Sequence, residues 1–183
     1  NTLAIGAYGD NSNQGAVWIF TRSNGVWSQI IKLVATGNVG AAKQGISCSL
    51  SADGNTLASG GENDNSNKGA TWIFTRLNGS WSQQAKLVGD SLISTGNGQG
   101  CSCSLTSDGN TVAIGSRFSG SGGVWIFTRS GTNWTQQGEK RVGTGFSLNP
   151  AQGTACAISA DGNTLISGGS GDNNNFGAVW VFT

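Results

Sequence analysis

Histidine is absent from the 183-residue chain, and so is methionine. The first absence removes the commonest general base and the commonest transition-metal ligand of proteins. The sequence also shows no repeated or clustered carboxylates, no cysteine–base pair and no phosphate loop. It therefore reads as a non-enzyme with no cofactor. A chain without methionine that opens at Asn1 is expected to be part of a longer translation product. Charge is scarce too, with 10 Lys and Arg against 9 Asp and Glu, a net charge of +1. No basic stripe is available to neutralise phosphates, which excludes nucleic acid as a partner. No apolar run approaches the roughly 20 residues of a membrane span, which argues against membrane insertion. Proline occurs once.

What is present is glycine, 31 residues of it, with many Asn, Ser and Thr. That composition suits short strands joined by tight turns, and suits an extracellular or cell-surface protein. A repeat of about 54 residues organises the whole chain. Asn-Thr-Leu/Val recurs at Asn1, Asn55, Asn110 and Asn163, with spacings of 54, 55 and 53. Trp18, Trp72, Trp125 and Trp180 form one row and Trp27, Trp81 and Trp134 a second, which together account for all seven Trp. Such strict periodicity on strands marks packing positions rather than a sugar-stacking surface.

Each unit reads as four strands, A to D. In the second unit these are Gly45–Ser51, Asn55–Gly60, Ala70–Thr75 and Trp81–Val88. Asp53-Gly54, Asp108-Gly109 and Asp161-Gly162 mark the A–B turns, and Asn78-Gly79 a C–D turn, where positive φ angles are needed. Small residues such as Ser47, Ser49, Ser102 and Ser104 lie on strand A, and the Trp and Phe rows lie on strands C and D. That gradient fits wedge-shaped blades around an axis. The fold class is therefore all-β, a β-propeller of four-stranded antiparallel blades. The chain reads as one repeat domain, 1–183, with units at about 1–43, 44–98, 99–151 and 152–183, the first and last blades incomplete.

The pattern Gln-Gly-x-Ser-Cys-Ser-Leu-Ser-x-Asp-Gly-Asn-Thr, then Gly-Ala-x-Trp-Ile-Phe-Thr-Arg, then Trp-Ser-Gln, resembles the FG-GAP repeat over the whole chain. This is the blade unit of integrin α-subunit propellers, and the bacterial-type subfamily is the nearer match. The Phe-Gly of that family is here Gln44-Gly45, Gln99-Gly100 and Gln152-Gly153. Ser51-Ala-Asp-Gly-Asn55 is also similar to the turn of WD40 propellers, without that family's Gly-His and Trp-Asp marks. Integrin-type repeats often hold calcium between strands A and B. Here that loop carries one carboxylate, too few for a hard cation, so no metal is expected there.

The resemblance implies that the face bearing the B–C and D–A loops is the binding surface. Its candidate residues are Asp10, Asn11, Asp64, Asn65, Asp172 and Asn173 in the Asp-Asn turns, with Arg117 and Phe118 where the third B–C loop departs from them. Asn78 and Asn133 open N-glycosylation sequons at C–D turns. Cys48, Cys103 and Cys156 share one repeat position between apolar neighbours and read as unpaired thiols packed as small hydrophobes. Lys32 and Lys86 on strand D fit the charge that protects a sheet edge. The functional expectation is a surface binding or adhesion module taking a protein or glycan ligand. The alternative is a self-associating fibre subunit whose blades are completed by further chain or by a neighbour.

Overall fold

The computed structural model describes residues 1–90, 96–118 and 120–183. Among them the expected hairpins form four separate antiparallel sheets. The first holds β1 (Thr2–Ala7), β2 (Ala16–Ser23) and β3 (Val26–Leu33). The second holds β4 (Ser47–Leu50), β5 (Thr56–Gly61), β6 (Ala70–Leu77) and β7 (Ser80–Leu87). The third holds β8 (Gln99–Leu105), β9 (Thr111–Ser116), β10 (Gly123–Ser130) and β11 (Asn133–Gln136). The fourth holds β12 (Gln152–Ile158), β13 (Leu165–Gly169) and β14 (Ala178–Phe182). Strands pair in chain order within each sheet, and the outer two sheets have three strands against four in the inner two.

Turn chemistry differs at the two kinds of hairpin. Asn24-Gly25 and Asn78-Gly79 both take positive φ, as a two-residue hairpin turn requires. At the Asp-Gly turns only the glycine does, with φ +69 at Gly54. The aspartate instead ties the loop through its side chain. Ser51 Oγ donates to Asp53 at 2.5 Å, and the Asn55 backbone N–H and side-chain amide donate at 2.9 Å each. Thr106, Asp108 and Asn110 repeat the arrangement, as do Ser159, Asp161 and Asn163. These hydrogen bonds hold all three carboxyls below the usual range, the serine or threonine hydroxyl contributing most.

The sheets pack face to face as blades, and the core lies between them. One blade's front face supplies small and β-branched residues, and the next blade's back face supplies the large ones. Thus Ala4, Val17, Ile19 and Leu33 meet Leu57, Trp72 and Phe74. Ala58, Ile73 and Leu87 meet Val112, Trp125 and Phe127. Ala113 and Val124 meet Ile158 and Leu165. Each large apolar side chain covered this way contributes about 1.5–3 kcal/mol. The Trp rows divide accordingly. Trp72 and Trp125 are fully buried, whereas Trp27, on the outward face of the first blade, is exposed.

Three rows of side chains tie the loops and blades together. Gln44, Gln99 and Gln152 are fully buried, and each accepts a backbone N–H from the preceding D–A loop, that of Ala35, Gly89 or Gly143 at 2.7–3.0 Å. The buried Trp row pins the same loops, since the Trp72 and Trp125 indoles donate to the carbonyls of Thr36 and Asp90 at 3.1 Å. Arg76 and Arg129 then bridge neighbouring blades. Arg76 binds Asn55 of its own blade at 2.9 Å and Thr2 of the previous one at 3.3 Å, and Arg129 binds Asn110 and Thr56 in the same way.

Candidate functional site

The B–C and D–A loops share one face of the molecule. Each Asp-Asn turn is a single left-handed turn of chain, with Asn11, Ser12 and Asn13 at φ +46, +57 and +67. Asn65–Asn67 and Asn173–Asn175 repeat it. Asparagine tolerates this conformation best among residues with a side chain, which accounts for the amide-rich composition. Asp64 and Asp172 sit inside and clamp the adjacent D–A loop. Asp64 is buried, accepts the Val39 N–H at 2.7 Å and pairs with Lys86 at 2.6 Å. Asp172 accepts the N–H and hydroxyl of Ser147 at 2.6 and 3.0 Å. Asp10 pairs with Lys32 at 2.5 Å. Lys32 and Lys86 therefore reach across to the loop face rather than standing guard on the sheet edge. Asn11, Asn65 and Asn173 remain exposed on the surface of these turns.

The third B–C loop breaks the pattern. Arg117 grips the buried Glu62 of the previous blade through both carboxylate oxygens, at 3.0 and 2.8 Å. Its guanidinium also lies 4.7 Å from the Phe118 ring centroid. Glu62 and Arg117 occupy the same repeat position in consecutive blades, where the first and last blades carry Tyr8 and Ser170. Next to this pair is an open cleft of about 570 Å³ lined by Gly120, Ser121 and residues 146–150. A smaller hollow of about 300 Å³ joins it, lined by Arg117, Phe118, Gly120, Asn149 and Ala151. Phe118, Phe146 and Leu148 present apolar surface there, Leu148 at 90% exposure. Ala151, at the rim, takes φ +54, a costly conformation for a residue with a Cβ. The structure thus places Arg117 and Phe118 at this cleft and the six Asp-Asn candidates in the left-handed turns. Glu62 escaped the sequence reading. The available signal was a pair of opposite charges at one repeat position in a charge-poor chain. Of the second D–A loop, residues 91–95 lie outside the described residues.

Asn78 and Asn133 are exposed at C–D turns, away from the cleft. All four cysteines are free thiols. Those of Cys48, Cys103 and Cys156 point at the backbone carbonyls of Ala4, Ala58 and Ala113 in the previous blade, 3.7–3.8 Å away. Burial pushes the Cys103 thiol up to about 12 and the Cys156 thiol up to about 11, so neither forms a thiolate near neutral pH. Cys101, outside the periodic row, donates to the Gly153 carbonyl at 3.2 Å, and burial raises its pKa as well. Among the described residues no group of His, Cys, Asp and Glu is arranged to hold a metal ion.

Antiparallel blades packed face to face, with their loops gathered at one end, give the chain a β-propeller fold. No protein-family profile matches it, and no curated protein matches its sequence. It is similar in structure to a candidate 6-phosphogluconolactonase from Bacteroides uniformis, with a TM-score of 0.60 at 16% identity over 93% of this chain and 45% of that one. A second candidate 6-phosphogluconolactonase, from Bacteroides fragilis, gives 0.52 at 18% identity over 77% and 38%. A chain of the nidogen/laminin complex gives 0.55 at 10% identity over 99% and 57%. The chain thus spans about half the length of these structures, or less. One expectation is overturned. Two structural neighbours are candidate lactonases, so the missing histidine does not exclude this chain from the enzymes.

Proposed function

We propose that the chain is a binding module of FG-GAP type acting outside the cell, and that its ligand docks on the loop face at the cleft beside Arg117 and Phe118. The observation that carries this reading is local. Where the other blades carry a left-handed Asp-Asn turn on their loop face, the third opens a cleft and lines it with exposed Phe118, Phe146 and Leu148. Exposed apolar side chains beside a fixed arginine suit a protein ligand better than a glycan, which needs a denser set of hydrogen-bonding groups. Arg117 is held by Glu62, so it offers a preorganised edge rather than a mobile charge. The Asn78 and Asn133 sequons face away from the cleft side, where glycans would leave it open. A second reading, a structural subunit of a fibre or larger assembly, is favoured by the uncovered faces of the first and last blades.

The test is binding of the chain to a panel of immobilised extracellular-matrix proteins and to a glycan array. Phe118→Ser and Leu148→Ser are expected to weaken binding to a protein on the panel at least tenfold. Retention of binding by both variants would place the ligand elsewhere, and signals confined to the glycan array would replace the protein reading.

A further inference from the structure

The three blade junctions share one backbone device. A Gln-Gly pair at the start of each strand A enters the previous blade at the foot of its B–C loop. Lys43 and Gln44 donate to the carbonyls of Asn13 and Gln14 at 2.9 and 3.0 Å, and Gly98 and Gln99 donate to Asn67 and Lys68 at 2.8 and 3.1 Å. Short parallel bridges Gly15–Gln44, Gly69–Gln99 and Gly122–Gln152 result.

Two glycines of the receiving blade make room. A Cβ on Gly15, Gly69 or Gly122 would sit 2.0–2.1 Å from the glutamine carbonyl oxygen. One on Gly6, Gly60 or Gly115 would sit 2.0–2.2 Å from the carbonyl oxygen of the following glycine. The incoming glycine is equally constrained. At Gly45, Gly100 and Gly153 φ is +83 to +86, and a Cβ would meet backbone oxygen of the receiving blade at 2.2–2.4 Å. Only glycine on both sides permits such an approach.

The fourth blade carries the same receiver. Gly177 has φ +79, like its counterparts, and follows the same left-handed turn. Gly168 stands where Gly6, Gly60 and Gly115 stand. Its φ is ordinary, and a Cβ there would meet nothing nearer than Ala155 at 3.7 Å. Nothing within this blade calls for glycine at 168. Around it runs a groove of about 420 Å³ lined by Ala155, Gly168, Gly169 and residues 176–179. Val179 and Val181 are more than 60% exposed, while their counterparts Val17, Ile19, Thr71 and Ile73 are fully buried.

We propose that this groove accepts an incoming β-strand that begins Gln-Gly, the strand A of a further unit of the same repeat. A second copy of this chain does not supply the occupant. Its Gln-Gly strands, at Gln44, Gln99 and Gln152, are already seated in its own blades. Two departures tune the seat. Ala155 replaces Ser47 and Ser102, whose hydroxyls hold the incoming glycine carbonyl at 2.9 and 2.8 Å. Ile166 replaces the alanine whose carbonyl faces the periodic cysteine. The larger side chain leaves less room, so the fifth residue of the strand is alanine or glycine rather than cysteine.

The experiment titrates a labelled nine-residue peptide, Lys-Gln-Gly-Ile-Ser-Ala-Ser-Leu-Ser, into the full chain and follows fluorescence anisotropy. Saturable binding is expected. It weakens at least tenfold when the peptide's Gln-Gly becomes Gln-Val, when cysteine replaces its alanine, or when the chain carries Gly168→Val. Circular dichroism and thermal melting of Gly168→Val match the parent, because its Cβ has open space. The proposal is overturned if a scrambled peptide binds equally, if Gly168→Val binds undiminished, or if the chain dimerises through this face and the peptide fails to compete.

Discussion

Asp53, Asp108 and Asp161 show how one exposed residue fixes a turn. Each carboxylate accepts a hydroxyl and two groups of an asparagine, and each has its pKa lowered by those bonds. A carboxyl that binds protons less readily in the folded state stabilises the fold above its unfolded pKa. That contribution is lost as pH falls through the lower folded value. Asp108→Ala is therefore expected to lower stability at neutral pH and to flatten the decline as pH falls through the carboxylate range and below it. Urea titrations at stepped pH check this, and an acid limb as steep as the parent's would remove these bonds from the account. The buried glutamines are the residue-scale counterpart. A polar residue at a fully buried strand end contradicts the apolar pattern from which cores are read. Its partner, a loop N–H nine or ten residues away, has no sequence signature, so the row was visible only as a departure from Phe-Gly.

At the scale of elements, strand positions and turns were legible because period, Asp-Gly and Asn-Gly spacing and the Trp rows all pointed to the same hairpins. Strand A begins two residues later than the sequence suggested in the second unit, at Ser47. Gln44 and Gly45 before it contact the previous blade, as Gln99-Gly100 and Gln152-Gly153 do at the start of β8 and β12, a contact between units that no reading within one unit reveals. The Asp-Asn turns were legible as turns but not as left-handed ones, since asparagine favours several loop conformations. The left-handed geometry sets an expectation. Asn65→Val places a β-branched side chain at φ +49 and costs about 1–2 kcal/mol, whereas Asn65→Gly is tolerated. Chemical unfolding of both variants distinguishes this from a role for the amide itself, in which case the glycine variant loses as much as the valine one. The cleft was only partly legible. Arg117 and Phe118 stood out as a break in the repeat, but what opens beside them depends on the D–A loop that follows the third blade, residues 144–150, whose sequence matches nothing else in the chain.

Across the whole molecule, residues at one repeat position experience different surroundings according to blade. Trp72 is enclosed between two blades, and Trp18 is half-buried on a back face that no described blade covers, with Lys32 5.0 Å from its ring centroid. Trp72→Ala is expected to cost about 3–5 kcal/mol and Trp18→Ala much less. Equal losses in thermal or urea unfolding would mean that the first blade's back face is covered in solution. Because every junction uses the same front and back surfaces, duplication of a whole unit would lengthen the array without inventing a new contact, and the loss of one would leave matched surfaces to rejoin. The Glu62–Arg117 pair is the exception. Its charges lie at equivalent positions of two consecutive units and are satisfied only when those units follow in that order. Deleting the third unit or exchanging the two would strand a buried carboxylate, and deleting the second would take Arg117's partner away, so this pair acts as a lock on the order of the central blades within an otherwise interchangeable series.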